Sequence, residues 1–507
     1  MLDLLLNNDF LSAIIAFAII LIPAIIIHEL GHFVAAKMVG INVLEFGVGF
    51  PPRMARLFTW GETEFTLNWL PIGGFVRPLG EDMIGPNENT NHDYPHDDYE
   101  DGDKPKNIAY ISEREELVAR GVPEDKLQSV NDTKPWPRIW FMVAGAVFNV
   151  LSAVIFLMAA ALTGLPTKMG ESLIITDLPQ TSVFSQEQVF EFDTIERING
   201  EYIPSYRAFF ETLRTTNEPL EITMRHSRNV DEIETATRQA FEEYTITITP
   251  DTLDVTPFIL VVGVAENSPA ENVGLQADDR IIAADGQAFD IDDPITDFTE
   301  LVSERAGTPI LLTVLRSGQE LEIALTPRLD PPPGEGRIGI GISTQWQIAD
   351  GTEFATALPM VKYIPQDLPT SITYGFSETG RVLQIIAALP GQLIDGTISG
   401  EEARPVSIVG ISQIGGEFLQ QSIRNSAPYE VLTFIALISI FLGITNLLPF
   451  PPLDGGRILF VLIEIVRGKP VPPKIENAVY RIGIALLLIL GVIIIIFDIV
   501  NPISLTQ

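Results

Sequence analysis

The sequence predicts a polytopic α-helical membrane protein that also contains β-rich parts. Of its 507 residues 46% are hydrophobic, and the mean hydropathy is +0.25 although the net charge is −34. These values are compatible if apolar residues are concentrated in a few helices and acidic residues in the loops. Four apolar segments are long enough to cross a bilayer, at about 10–40, 139–167, 431–453 and 482–497.

The composition also limits the chemistry that the chain can perform. It contains no cysteine, so disulfides and thiolate metal sites are excluded and a zinc site would need His, Asp or Glu ligands. The acidic balance argues against a nucleic-acid partner, which requires clustered Lys and Arg. No basic residue precedes the first apolar segment, which is therefore interpreted as a retained span rather than a signal peptide.

A metal-binding pattern lies near the end of the first apolar segment. His28, Glu29 and His32 form an H-E-x-x-H motif, and in a helix both imidazoles project from one face. This spacing lets two neutral imidazoles bind one Zn²⁺, with Glu29 beside them as general base. Ionisable groups inside a membrane helix are costly and usually mark a functional site, which disfavours a chance occurrence.

A catalytic zinc site needs a third protein ligand and one open position. Asp454 is the candidate, because it follows the prolines at 449, 451 and 452 where the third apolar segment breaks. Freed backbone groups at membrane depth are tolerated around a polar cavity. The alternative is that Asp454 only caps the next helix. The chain could then be a different membrane zincin, whose third ligand is a glutamate on a later helix.

Residues 62–69 predict a strand with one apolar face, since Phe65, Leu67 and Trp69 alternate with polar residues. Together with 45–53 and 71–75, this strand forms either an ordinary hairpin or a β element that dips beside the site. In the second case its edge could pair with an extended substrate. The sequence favours neither interpretation.

Basic residues predict the orientation in the membrane. The loop between the third and fourth apolar segments is rich in Lys and Arg, which places it in the cytoplasm. The long segment between the second and third apolar segments, and both termini, then lie outside. The basic residues of the loop are Arg457, Arg467, Lys469, Lys474 and Arg481.

The long segment contains a partial internal repeat. Residues 267–275 and 278–286 resemble the short helix, strand and turn of a PDZ domain, and 193–200 resembles the second of these pieces in a more divergent copy. A different stretch, 81–103, is acidic and carries His92 and His96. A second metal site there is possible in principle, but the composition favours a solvated insertion.

Two motifs together resemble the site-2 protease family of intramembrane zinc metalloproteases, in the branch typified by the bacterial regulator of sigma-E protease. They are H-E-x-x-H at 28–32 and N-x-x-P-x-P-x-L-D-G at 446–455. Residues 47–49 and 71–74 resemble the family's membrane-reentrant β-loop, and Gly145 and Asn149 its small-residue/Asn motif. Arg404 and Ala146 depart from the family pattern, away from the expected metal site.

The resemblance implies that His28, His32 and Asp454 hold Zn²⁺, that Glu29 is the catalytic base, and that Asn446 donates a hydrogen bond to the substrate or oxyanion. Implied substrates are single-pass membrane proteins such as anti-sigma factors, shortened by another protease and then cut in their transmembrane segments. The PDZ-like domains would take peptide or protein ligands. The alternative is an inactive PDZ-bearing adaptor, which would have no need for costly intramembrane charge.

The full prediction is a polytopic α-helical membrane protein with four transmembrane helices, a membrane-reentrant β-element and two extracytoplasmic PDZ-like β/α domains. It is placed in the cell membrane with its active site toward the cytoplasm. The expected parts are a first transmembrane helix at 1–41, the reentrant β-loop at 42–80, an acidic cytoplasmic insertion at 81–134, a second transmembrane helix at 135–166, PDZ-like domains at 167–250 and 251–329, a linker with amphipathic segments at 330–429, a third transmembrane helix at 430–456, a cytoplasmic segment at 457–480 and a fourth transmembrane helix at 481–503.

Overall fold

The computed structural model describes residues 8–80, 108–186, 188–226, 243–250, 254–332, 335–396, 398 and 404–500. The acidic stretch 81–103, with His92 and His96, lies outside the described residues, as do residues 227–242. The chain divides into two compact units. Residues 1–165 and 363–507 form the membrane unit, and residues 166–362 form the β-rich unit.

Among the described residues, four helices of the membrane unit are long and apolar enough to cross a bilayer, in agreement with the four predicted membrane helices. They are Asp9–Val39, Pro135–Thr163, Tyr429–Asn446 and Ile475–Val500. The first includes a π-helical turn at Phe17–Leu21. In chain order the helices are α1 (Asp9–Ala16), α2 (Ile22–Val39), α3 (Ile108–Ala119), α4 (Pro135–Thr163), α5 (Tyr206–Thr215), α6 (Pro269–Asn272), α7 (Pro294–Glu304), α8 (Leu368–Ile394), α9 (Ile408–Arg424), α10 (Tyr429–Asn446), α11 (Asp454–Arg467) and α12 (Pro473–Val500).

The strands fall into three sheets. They are β1 (Val43–Trp60), β2 (Thr63–Pro78), β3 (Leu165–Gly170), β4 (Leu173–Asp177), β5 (Thr194–Ile198), β6 (Glu201–Tyr202), β7 (Leu220–Arg225), β8 (Glu243–Ile248), β9 (Val255–Val264), β10 (Arg280–Ala284), β11 (Gln287–Ala288), β12 (Ile310–Arg316), β13 (Gln319–Leu325), β14 (Ile340–Ile348), β15 (Glu353–Thr356) and β16 (Met360–Ile364). β1 pairs with β2, β3 pairs with β16, and the other strands form one twelve-stranded sheet.

The helix before the candidate third ligand ends earlier than the apolar pattern indicates. α10 stops at Asn446, and α11 begins at Asp454. The prolines between them lack the N–H that a continuing helix requires, so the chain makes a turn instead. Asp454 is thereby the first residue of a new helix, where the positive end of the helix dipole favours a carboxylate.

Strands β1 and β2 each bend, so that the two together form a broader sheet. Residues 45–48 pair with 64–67 on one side and with 74–77 on the other, while 53–60 pair with 63–68. Phe46 and Val76 of this sheet are buried with Phe33 of α2, Phe141 of α4 and Val461 of α11. This common core fixes the sheet beside the helices that carry the candidate ligands.

The β-rich unit has two hydrophobic cores, and we call the parts around them lobe 1 (β4–β8 and α5) and lobe 2 (β9–β13, α6 and α7). The strand order of the shared sheet is β13-β12-β10-β9-β14-β15-β4-β5-β7-β8. β14 pairs with β9 of lobe 2, and β15 pairs with β4 of lobe 1. The β14–β15 hairpin therefore joins the two lobes.

This hairpin comes from the stretch 330–429, where the sequence pattern predicts a linker with amphipathic segments. Its residues Trp346, Ile348 and Phe354 are buried in the core of lobe 1. The Trp346 indole N–H donates to the carbonyl of Ile291, which precedes α7 of lobe 2, at 2.8 Å. The core of lobe 1 is consequently completed by residues that follow lobe 2 in the chain.

Candidate metal centre

The two histidines of the H-E-x-x-H motif lie on one face of α2. His28 and His32 are 6% and 7% exposed, and their Nε2 atoms are 3.1 Å apart. Asp454, at the start of α11, brings its Oδ2 to 3.1 Å from His28 Nε2 and 3.2 Å from His32 Nε2. Among the residues described, these three form the cluster of His, Asp and Glu side chains suited to a metal ion.

The triangle of atoms fits zinc in both size and chemistry. Ligands of tetrahedral zinc with bonds of about 2.0–2.1 Å lie about 3.3 Å from one another. The three distances of 3.1, 3.1 and 3.2 Å are close to that separation. Two imidazoles and one carboxylate also match the three-ligand sets of catalytic zinc sites, which leave a fourth position for water or substrate.

Backbone and amide groups hold the imidazoles in place. His32 Nδ1–H donates to the carbonyl of Phe141 on α4 at 2.9 Å, which leaves Nε2 free as a metal ligand. The buried amide of Asn149 lies 3.4 Å from His28 Nδ1, and its Oδ1 makes no hydrogen bond to the described residues. With that oxygen turned toward the ring, the amide accepts the Nδ1–H and fixes the same tautomer in His28.

Two glycines allow α2 and α4 to approach closely at the site. A Cβ on Gly31 would lie 2.4 Å from the carbonyl oxygen of Ala144. A Cβ on Gly145 would lie 2.5 Å from His32 Nε2 and 2.7 Å from His28 Cε1. Both positions therefore require glycine, and Gly145 forms one wall of the metal centre.

The other two sequence candidates lie next to the triangle without belonging to it. Glu29 is partly buried, and its carboxylate accepts a hydrogen bond from the backbone N–H of Val76 on β2. Asn446, the last residue of α10, places Nδ2 3.3 Å from His28 Nε2. The structure thus brings together all five candidate residues, from helices α2, α10 and α11.

Sequence reasoning missed the backbone partners of the site. The Phe141 carbonyl and the Val76 N–H each orient a candidate side chain, but any residue type could supply a backbone group. A sequence therefore carries no signal for these contacts. Only the adjacent small residue Gly145 gave an indication that α4 passes close to the histidines.

Comparison with known proteins agrees with the arrangement. The model of peptidase family M50 matches residues 16–490. The "Regulator of sigma-E protease RseP" of Salmonella typhimurium (strain 14028s / SGSC 2262) is 28% identical over 502 residues, covering 94% of this chain and 95% of the relative. The protein of the same name from Escherichia coli (strain K12) is 26% identical over 505 residues, covering 95% and 97%.

A third relative, from Vibrio cholerae (serotype O1, strain ATCC 39315 / El Tor Inaba N16961), is named "Putative zinc metalloprotease". It is 26% identical over 500 residues, covering 95% of this chain and 96% of the relative. The family match includes the three converging residues and reaches into all four candidate spans. The chain therefore belongs to peptidase family M50 and is an intramembrane zinc metalloprotease with zinc as its cofactor.

Proposed function

We propose that the chain hydrolyses peptide bonds in the transmembrane segments of single-pass membrane proteins, with His28, His32 and Asp454 as its zinc ligands. The observation that carries the proposal is the triangle of ligand atoms that α2, a membrane span, forms with the start of α11. A catalytic centre on a membrane span suits substrates that themselves lie in the bilayer.

Zinc held by these residues supplies a Lewis acid that polarises the scissile carbonyl and activates water. We assign the proton transfers to Glu29, which takes a proton from the attacking water and returns it to the leaving amine. The carboxylate of Glu29 lies within hydrogen-bonding reach of the backbone N–H of Val76. Asn446, with Nδ2 3.3 Å from His28 Nε2, is placed to donate to the substrate or the oxyanion.

We further propose that β1 and β2 form a membrane-reentrant element whose edge binds the substrate. Several large apolar side chains of this sheet are exposed, as expected for a surface in contact with lipid. Residues 74–77 pair with 45–48, and the N–H of Val76 is directed to Glu29. An extended substrate segment added to this edge would lie beside the base. The exposed residues are Phe50, Met54, Leu57, Phe58, Trp60, Trp69 and Leu70.

The names of the relatives connect those proteins with sigma-E regulation. We propose that the substrates of this chain are of the same kind, anti-sigma factors already shortened by another protease. Membrane proteomics of a strain carrying Glu29→Gln tests this, because uncut membrane-anchored fragments should accumulate there and not in the wild type. Equal fragment levels in the two strains would argue against the assignment.

Gly145 offers a test of the metal assignment that leaves every proposed ligand in place. Gly145→Ala should lower zinc affinity about 10–100-fold, as is typical when the groups around metal ligands are disturbed. The added methyl would push on both imidazoles, and His32 is held to Phe141. Zinc retention against a chelator is the measurement. Gly491→Ala on α12 is the matched control, since its Cβ meets nothing within 4 Å.

We propose that the β-rich unit lies outside the cytoplasm and that its two lobes are PDZ-like. The basic residues between the third and fourth spans support this orientation. A cysteine at exposed Ser303 on α7 should react with an impermeant thiol reagent added to spheroplasts, and one at exposed Ser112 on α3 should not. The natural chain has no cysteine to give background labelling. Labelling at 112 alone would reverse the proposed orientation.

A further inference from the structure

Lobe 2 contains a tight turn with polar, exposed side chains. The N–H of Asp278 donates to the carbonyl of Val261 at 2.9 Å, and the buried carboxylate of Asp279 accepts from the N–H of Gln276 at 2.8 Å. Arg316 forms a bidentate ion pair with Asp279. Gln276 and Asp278 both point to solvent. This is an ordinary surface turn supported by a buried aspartate.

Lobe 1 repeats the same backbone turn with aromatic side chains. The N–H of Phe192 donates to the carbonyl of Ile175 at 2.7 Å, and the buried carboxylate of Asp193 accepts from the N–H of Phe190 at 2.9 Å. Phe190 therefore corresponds to Gln276 of lobe 2, and Phe192 corresponds to Asp278. The two phenylalanines are 58% and 47% exposed.

The backbone makes a phenylalanine at 192 costly. Its φ is +71°, and that of the corresponding Asp278 is +67°. Aspartate and asparagine tolerate this left-handed region, because their short side chains can hydrogen-bond locally, whereas a bulky aromatic residue there is an outlier. Phe192 is also 47% exposed and so gains only part of the stabilisation that full burial would give. Strain retained at an exposed position points to a role other than folding.

Further aromatic rings extend the surface from Phe190. The ring of His226 lies 5.7 Å from that of Phe190 and stacks on Tyr244 at 4.3 Å. Both residues contact the buried carboxylate of Asp193, His226 through Nδ1 at 3.1 Å and Tyr244 through its hydroxyl, which donates to the carboxylate. We call Phe190, His226 and Tyr244, together with exposed Phe192 of the same turn, the aromatic patch.

We propose that the aromatic patch is a docking surface for a protein segment that carries Arg or Lys beside an apolar side chain. Aromatic faces attract cations, and the patch lies over the carboxylate of Asp193 and beside exposed Glu191. A bilayer is a poorer binding partner for the patch, because exposed Glu191 beside it is repelled by anionic lipid headgroups. Docking of a protein segment is a role beyond peptide hydrolysis. The turn itself does not require aromatic residues, because lobe 2 forms the same turn without them.

The test uses the full chain in neutral detergent micelles and a fluorescent peptide that alternates Arg and Leu. Phe190→Gln combined with Phe192→Asn removes both aromatic rings without adding charge, keeps a residue type that tolerates the left-handed backbone, and should weaken peptide binding about tenfold or more. Asp278→Asn in lobe 2 is the control and should leave binding unchanged. A peptide alternating Glu and Leu should not bind. Equal affinity of the double variant and the wild type would overturn the proposal.

Three further measurements distinguish peptide docking from a folding role, a lipid contact and a contact between two copies of the chain. Hydrogen exchange in lobe 1 should be unchanged or slower in Phe192→Asp; faster exchange would show that Phe192 serves folding and would overturn the proposal. The fluorescence that Phe192→Trp adds to that of the five native tryptophans should not be quenched by brominated lipids in nanodiscs, because quenching of this added signal would show that position 192 contacts the bilayer. The monomer fraction should be the same with and without the double substitution. A difference would show that a second copy of the chain binds to the aromatic patch, and would also overturn the proposal.

Discussion

Replacing Glu29 by glutamine is expected to lower the cleavage rate about 10²–10⁴-fold, the usual contribution of a general base, while zinc binding is retained. The amide has nearly the same size and can still accept the hydrogen bond from Val76, but it cannot take a proton from water. Glu29 is also absent from the triangle of converging ligand atoms. The measurements are zinc content of the purified chain and cleavage of a single-pass substrate in membranes.

The ligands should behave differently from the base. Asp454→Ala and His28→Ala each remove one corner of the triangle, so zinc and activity should be lost together. Asp367→Ala is a suitable control, because Asp367 also lies at a helix start, capping α8 through Thr370, and is not one of the three converging residues. Full zinc retention by Asp454→Ala would favour a glutamate on a later helix as third ligand. Normal cleavage by Glu29→Gln would remove the proposed base.

The site could be predicted from sequence because its chemistry is local or unusually constrained. The positions of His28, Glu29 and His32 follow from helix geometry alone. Asp454 lies far along the chain, but the lack of cysteine and the broken apolar segment before it left few alternatives. The contacts that orient these residues come from backbone groups of α4 and β2, which depend on tertiary packing and leave no pattern in the sequence.

The membrane helices could be predicted because hydropathy reports them directly, whereas α8 could not be assigned. It packs on α4 through small residues such as Gly375, whose Cβ would lie 2.8 Å from the Val154 carbonyl oxygen. Its large side chains Leu368 and Phe376 are 56% and 61% exposed. The first half of α8 thus packs through small residues and exposes large apolar ones, so periodicity alone is a poor guide there.

The β14–β15 hairpin escaped prediction for a different reason, and this determines how the β-rich unit should be removed in an experiment. β15 has only four residues, and the buried residues of β14 and β15 complete lobe 1 across a long sequence separation. A deletion ending at 329 would leave Trp346 and Phe354 without a core. The boundaries of the compact unit, at 166 and 362, are better positions. A Cβ on Gly164 would lie 2.9 Å from Tyr363 Cβ, so a short Gly-Ser linker can join the remaining ends.

Deleting 166–362 in this way should leave zinc bound and a shortened substrate cleaved, and should permit cleavage of a substrate that keeps its full ectodomain. The three converging residues all lie in the membrane unit, so the metal centre does not depend on the deleted part. The β-rich unit is tethered to the spans at both ends, and we propose that its bulk excludes large ectodomains. Long and short forms of one substrate are compared with both enzymes in the same membranes, and Glu29→Gln in the deleted form controls for other proteases. If the deleted enzyme still rejects the long form as strongly as the intact enzyme does, the membrane unit itself selects substrates by size.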